Sequence, residues 1–456
     1  MKIIRLFFFC FLLVSCSCND NNTSAPVIPT PPVVPQLTET ELLDQVQKDA
    51  LKYFVEYAHP HAKLARERYH VEDVNNDADI VTTGGSGFGL MSILAGIDRN
   101  FISRTDAVSR LTTALTFLEN ADRFHGAWPH WMNGNTGAVI PFGTLDNGGD
   151  LVETSFLCQG LLCVREYFKN GSTEEQALAL KADQLWKGVE WDWYTKGENA
   201  LYWHWSPNYG WQINFKLEGY NECLITYILA KCSPTHPISN ACYNLGWARN
   251  GGIVNAGSMY NIPVVFDYNG ASGRIGPMFW SHYSYLGLDP RGLSDQYANY
   301  WTLTQNHAKI MLAYCVANPL GYQDYSDKCW GLTASYTRNA DGSVGYTDHK
   351  PYNDRGVISP TAALSSFPYT PIESMKFLRY LYEEHKDKYV GSIGPYDAFS
   401  PKYNWVTKRY LAIDQGTIVP MIENYRTGML WNLFMNAPEV KTGLLGLGFH
   451  STQHGF

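Results

Sequence analysis

Positive charge is scarce and charge of any kind is thin: 35 Lys and Arg stand against 43 Asp and Glu in 456 residues, a formal net charge of −8, and only 17% of residues are charged. No Lys/Arg-rich run concentrates what there is. Nucleic-acid binding, which needs a basic footprint to displace counterions, is therefore not expected. Also missing is any apolar run of the ~20 residues that a bilayer-spanning helix requires. The chain has no Walker loop, no His-Glu-x-x-His and no Gly-x-Ser-x-Gly, so P-loop, zincin and serine-hydrolase chemistries lack their motifs. Gly84-Gly85-Ser86-Gly87-Phe88-Gly89 lacks the spacing and strand context of a dinucleotide loop and reads as a tight helix entry. No CxxC pair occurs. Beyond the N-terminal Cys10, Cys16 and Cys18, the cysteines at 158, 163, 223, 232, 242, 315 and 329 read mainly as buried small apolar residues, with room for one or two disulfides in an oxidising compartment. The 13 histidines are scattered, and neither His59-Pro60-His61 nor Trp203-His204-Trp205 has the companion ligands of a zinc site. No metal and no cofactor is expected.

What is present is apolar and aromatic. With 45% hydrophobic residues, 30 Tyr and 14 Trp, the chain is expected to fold around a large core. Rings in that number suit a polar ligand with apolar faces, such as a sugar, although packing accounts for most of them. At the N-terminus, Lys2 and Arg5 precede an apolar run from Leu6 to Val14, the build of a signal peptide. Leu13-Val14-Ser15-Cys16 resembles a bacterial lipoprotein signal, whose Cys16 would carry the lipid. Residues 1–16 are thus read as the signal, 17–38 as a tether and 39–456 as one domain. The tether includes five prolines in the twelve residues from Ala25 to Gln36, a semi-rigid spacer. The expectation is a monomer, lipid-anchored to the outer membrane on its periplasmic or cell-surface side.

From Glu39 onward apolar residues recur at i, i+3 and i+4, which predicts about a dozen helices. The stretches are 39–58, 86–98, 104–121, 152–168, 174–192, 218–231, 238–249, 281–287, 295–317, 360–366, 371–386 and 416–435. Long loops rich in Gly and aromatics separate them, at 125–149, 200–216, 250–279 and 333–359, and loops of that length are usually functional. Strands are expected only as short hairpins, for example around Asp341-Gly342. Twelve helices without a linker break suggest an all-α fold, a single (α/α)6 toroid whose inner helices converge on a loop-lined pocket. A generic helix bundle is the alternative.

Three clusters can carry chemistry. Asp146 and Asp150 lie on the Gly-rich segment Leu145-Asp146-Asn147-Gly148-Gly149-Asp150 ahead of an apolar helix. Asp150 with Glu153 has the spacing of a capping box and Asp146 that of a turn residue, yet two acids at a helix mouth can also place a carboxylate against water or substrate. Glu222, in Gly219-Tyr220-Asn221-Glu222, leads into the apolar run from Cys223 to Ala230. Desolvation there would raise its pKa towards the range of a general acid, whereas the structural alternative is a first-turn acid complementing the helix dipole. The third cluster, Asp414-Gln415-Gly416 with Glu423 and Arg426, contains an i, i+3 pair that favours a salt bridge.

Taken in order, Ser86-Gly87-Phe88-Gly89, Asp146 to Thr154, Gly219 to Glu222, Asp414-Gln415-Gly416 and Glu423 to Gly428 resemble the glucoamylase-like lipoproteins of Bacteroidetes. These belong with the endo-β-1,2-glucanases of glycoside hydrolase family 144. The resemblance covers about residue 40 to the end. It implies an (α/α)6 domain and hydrolysis of β-1,2-glucan with inversion, with Asp146, Asp150 and Glu222 matching the suspected catalytic acids. Inversion needs a second carboxylate roughly 6.5–9.5 Å from the acid; Asp146 or Asp150 could supply it directly or through a water relay, with Glu423 and Asp414 in reserve. Trp128, Trp131, Trp203, Trp205, Trp211 and Trp280 are candidate stacking platforms, His204 a candidate sugar hydrogen-bonding group, and Arg274 and Arg426 candidate hydroxyl clamps. A non-catalytic glycan-binding lipoprotein and a hydrolase of another glucan linkage are the competing readings.

Overall fold

The structure is a computed structural model that describes residues 37–269 and 274–456. The lipid-bearing Cys16, the signal segment and the Pro-rich part of the tether lie outside the described residues. Thr38–Phe456 forms one compact unit. Its helices are α1 (Glu39–Val55), α2 (Thr83–Asp98), α3 (Arg104–Asn120), α4 (Leu151–Phe168), α5 (Thr173–Lys187), α6 (Leu224–Cys232), α7 (Tyr300–Ala317), α8 (Pro360–Leu364), α9 (Pro371–Arg379), α10 (Lys386–Tyr389), α11 (Ala412–Arg426), α12 (Met429–Met435) and α13 (Pro438–Gly446).

Burial alternates along the chain. α1, α3, α5, α7 and α9 bury one stripe and expose the other, as an amphipathic surface helix does. α2, α4, α6, α8 and α11 are buried almost all round. The two kinds start differently. Surface helices α1 and α5 open with complete capping boxes, Thr38 with Glu41 and Ser172 with Glu175. Among the interior helices, α4 and α11 bring first-turn residues, Glu153 and Ile413, to a common cavity, which Thr82 and Glu222 reach from just before α2 and α6.

The glycines at 84–89 fall in the first two turns of α2, which begins at Thr83. A Cβ on Gly87 would meet the Phe156 carbonyl oxygen at 2.4 Å, and one on Gly160 the Gly87 carbonyl oxygen at 2.3 Å, so these two residues let α2 and α4 pack backbone to backbone. The predicted helix at 218–231 begins only at Leu224. Gly219 has φ +75, and the Cys223 N–H donates to Asn221 Oδ1 at 2.9 Å, which makes 219–223 a turn that ends at Glu222 and Cys223. The helix expected over 416–435 is two, α11 and α12, divided at Gly428 with φ +71. The expected helix at 281–287 is a pair of 3₁₀ turns, Met278–Ser281 and Tyr283–Tyr285, and that at 238–249 is a π-helical turn over Cys242–Trp247. α13, opened by Pro438 at its first position, has no counterpart among the expected helices.

Among the described residues the strands are short, most of them two or three residues. The longest pair is the hairpin Ala334–Arg338 with Val344–Asp348, turning at the expected Asp341-Gly342. All seven cysteines from 158 to 329 are buried and free, so no disulfide links the described residues.

Candidate active site

A cavity of about 440 Å³ opens where the first turn of α4, the turn before α6, the strand Arg68–His70, the hairpin of 334–348 and the 3₁₀ turns of 278–285 meet. Its wall is aromatic, with Trp131, Phe142, Trp203, Phe279, Tyr283, Tyr336 and Tyr346, interrupted by Glu67, Arg68, His130, Glu153 and Glu222. Such a wall, apolar with a few converging polar groups, is the form of a small-molecule site.

Two carboxyl groups face this cavity from the sides of α4 and α6. Burial pushes Glu222 up to about 7, against a weak opposing pull from its own backbone N–H, and the nearby charges of Glu153 and Asp150 add to the rise. Burial also pushes Glu153 up to about 7, although His130 and the Gly84 N–H pull the other way. Gly84 donates its N–H to Glu153 Oε2 at 2.8 Å, from the first turn of α2. The capping box expected at 150–153 is half made: the Glu153 N–H donates to Asp150 Oδ1 at 2.9 Å, but the Glu153 side chain turns to α2 and the cavity. A third acid, Glu67, is raised by burial and is paired with Arg68.

Asp146 and Asp150 do not line the cavity; they stand one layer behind it with His204, and Asp150 meets it through His130. His130, a cavity residue, donates from Nδ1 to Asp150 Oδ2 at 2.8 Å, and its ring is stacked on Phe142 at 4.1 Å between centroids. His204 Nε2 lies 3.2 Å from Asp146 Oδ2 and 3.5 Å from Asp150 Oδ2. Burial opposes charging both imidazoles, but the carboxylates around them prevail and hold each up to about 9. In return the two histidines outweigh burial and hold Asp150 well below the usual carboxylate range. Each Asp150 oxygen thus accepts from a close donor, Oδ1 from the Glu153 N–H and Oδ2 from His130.

This layer also gathers three groups within 4.8 Å of one another that could coordinate a cation, His130, Asp146 and Asp150, a set the spacing in sequence had not shown. Their polar atoms are already matched, imidazolium N–H against carboxylate, so protons satisfy the cluster's charge.

Other candidates fall elsewhere. Trp128 offers no face to a ligand: it is fully buried, its indole N–H donates to Leu118 O at 3.0 Å, and Arg123 covers the ring. Glu423 and Arg426 do not pair with each other. Glu423 takes a two-point ion pair from Arg99, both contacts at 2.8 Å, while Arg426 donates to Asp44 and Gln47, so both tie α11 to neighbouring helices rather than reach a ligand. Asp414 is buried beside Asp397, and burial with that neighbour pushes its carboxyl well above the usual range; it does not line the cavity. Arg274 lies over the Tyr352 ring and Trp280 against Tyr268, neither on the cavity wall. Trp211 lines a separate groove, and Trp205 packs edge-on against His125 and Trp193. Glu67, Arg68, His130, Tyr283 and Tyr346 were missed as site residues. Nothing in their local sequence marks them, since they converge from segments far apart in the chain.

Residues 214–438 match a family model described as "Putative glucoamylase". The exo β-1,2-glucooligosaccharide sophorohydrolase of Parabacteroides distasonis is 44% identical over 451 residues, covering 94% of this chain and 60% of that protein. The chain thus spans about three-fifths of that relative's length. Among solved structures, an endo-β-1,2-glucanase of Chitinophaga pinensis, in complex with sophorotriose and glucose, is 53% identical with a TM-score of 0.88, covering 91% of this chain and 99% of that one. A β-1,2-glucanase of Parabacteroides distasonis is 43% identical with a TM-score of 0.84, covering 91% and 60%. An endo-β-1,2-glucanase of Talaromyces funiculosus, 13% identical and covering 90% and 89%, shares the fold with a TM-score of 0.66. Being 53% identical to a relative of which it covers 99%, the chain belongs to the glucoamylase-like glycoside hydrolase family of these bacterial β-1,2-glucanases.

Proposed function

We propose that the protein hydrolyses β-1,2-glucan with inversion, on an (α/α)6 toroid tethered by lipidated Cys16 to the outer membrane. The alternation of surface and interior helices supports the toroid, and the 53% identical endo-β-1,2-glucanase supports the linkage. The observation that carries the chemistry is Glu222, a carboxyl pushed up to about 7 on the wall of an aromatic cavity that also holds Glu153.

In this reading Glu222 is the general acid. At neutral pH a large share of it keeps its proton, which it gives to the glycosidic oxygen as the bond to the anomeric carbon breaks. Glu153 is the carboxylate that takes a proton from the attacking water. Of the two it has the better support for its charge, the Gly84 N–H and the His130 cation, so when one proton is shared between them Glu153 ionises first. Asp146 and Asp150 act through His204 and His130, keeping both imidazoles charged and the second in place beside Glu153. Trp203 and Trp131 offer apolar faces to the sugar rings.

Product analysis on linear β-1,2-glucan beside starch and β-1,3-glucan tests the reading. Release of β-1,2-linked oligosaccharides alone is the expected result. Release from starch or β-1,3-glucan would move the linkage, and release from none would make the protein a glycan-binding lipoprotein.

A further inference from the structure

A second aromatic site lies outside the cavity. The segment Glu190 to Gly197, with Trp211 and His236, lines an open groove of about 500 Å³. Trp193 is 41% exposed. One face of its indole is covered by the His125 ring, 3.6 Å between centroids and 13° from parallel, and its edge is met by Trp205 at 6.1 Å and 81°. The stacked partner is itself fixed, His125 Nδ1 bonding Glu190 Oε2 at 2.9 Å, and the Trp193 backbone N–H donates to Asp192 Oδ1 at 3.0 Å. A large exposed indole backed by a stacked imidazole and wedged edge-on by a second indole is a rigid platform with one face left open.

We propose that this groove is a second glucan-binding site, which holds a neutral β-linked glucan chain while the cavity cleaves. This rests on the functional reading above for the identity of the chain it prefers. The chemistry on the page suits a neutral pyranose. Its C–H face can lie on Trp193, and the rim offers hydrogen-bonding groups, the carboxylates of Glu190 and Asp192, the Lys196 ammonium and the His236 imidazole. With two carboxylates and one ammonium on its rim, the groove does not favour a polyanion. Trp211 forms a second wall, held edge-on by Tyr194 and Tyr202 at 5.9 and 6.0 Å. The groove adjoins the catalytic layer. His204 and Trp205 are consecutive residues of one strand, the first bonded to Asp146 and the second packed against His125.

Native electrophoresis of the purified protein in gels containing β-1,2-glucan, β-1,3-glucan or starch, with Trp193→Ala and Trp193→Phe beside the wild type, tests the site. The expected result is retardation of the wild type by β-1,2-glucan, a roughly tenfold weaker retardation of Trp193→Ala, and most of the effect restored in Trp193→Phe. Turnover of short β-1,2-oligosaccharides, too short to reach both sites, should be unchanged in either variant, and KM for the long polymer should rise in Trp193→Ala with kcat held. Equal retardation of Trp193→Ala and wild type, or no retardation in any gel, overturns the proposal. Trp193-dependent retardation by β-1,3-glucan or starch instead, with no β-1,2-glucan cleaved, upholds the groove while overturning the functional reading.

Discussion

His130 and Asp150 share a 2.8 Å ion pair that reaches the cavity only on the histidine side: the His130 side chain is 21% exposed and that of Asp150 is 0%. The aspartate thus shapes the cavity's electrostatics without touching its contents. It caps α4 with one oxygen and charges two histidines with the other.

Asp150→Asn separates these roles. Asn caps a helix as well as Asp, so α4 and the thermal midpoint should change little. The neutral amide no longer holds His130 and His204 charged, and their pKa values should fall from about 9 towards 6.5 in an NMR titration, with turnover at least about tenfold lower. Unmoved histidine titrations would show that the ion pairs do not set those charges.

Glu222→Gln keeps shape and removes the proton donor. General acid catalysis contributes about 10²- to 10⁴-fold, so kcat on β-1,2-glucan should drop by at least about 10²-fold with the thermal midpoint unchanged or raised. Near wild-type turnover would refute the acid assignment. Glu153→Gln should be similarly inactive, and azide should rescue it in preference to Glu222→Gln, because a small anion can replace a base but not an acid.

Activity should be confined to a narrow pH range. With Glu222 and Glu153 both near 7 and coupled, the rate needs one proton on the pair, so it should fall on each side of neutrality with two apparent pKa values belonging to the pair. Stability should move in one direction. Both glutamates are raised from 4.5 to about 7 and both histidines from 6.5 to about 9, so in each case the folded state binds protons that the unfolded state has lost. The stabilisation is complete below the unfolded values and is lost as pH rises through the folded ones. The thermal midpoint should therefore decline between pH 5 and pH 9. Below that range Asp150, lowered from 3.8, takes over and stability falls again as it protonates. A midpoint that stays flat from pH 5 to pH 9 contradicts the charge assignments.

Dialysis against a chelator should leave activity intact, because the His130, Asp146 and Asp150 cluster is satisfied by protons. Loss of activity restored by calcium or zinc would assign those three residues to a cation instead.

Cys16→Ala should move the protein from the detergent-extracted membrane fraction to the soluble one. Retention in the membrane would remove the lipid-anchor reading.

The helices were legible in the sequence wherever one face meets water, since a 3.6-residue apolar period exists only when the opposite face stays polar. α1 and α3 begin at the expected residues and α5 one residue earlier, because Thr38, Ser103 and Ser172 cap them from local sequence. Interior helices carry no such period, which is why the split of α11 from α12 at Gly428 was missed and why Gly87 was read as a helix entry rather than a contact between α2 and α4. Glu222 was readable from the apolar run that follows it, as burial by adjacent residues is a local property. The site's remaining members were not. Whether Glu153 completes a capping box or faces the cavity depends on Gly84, 69 residues away, and whether Asp150 meets water or an imidazole depends on His130 and His204, which approach it from two other segments. Local sequence sets helix starts and apolar neighbours; which carboxyl is charged, and which one a substrate meets, is decided by groups that only the folded chain brings within hydrogen-bonding distance.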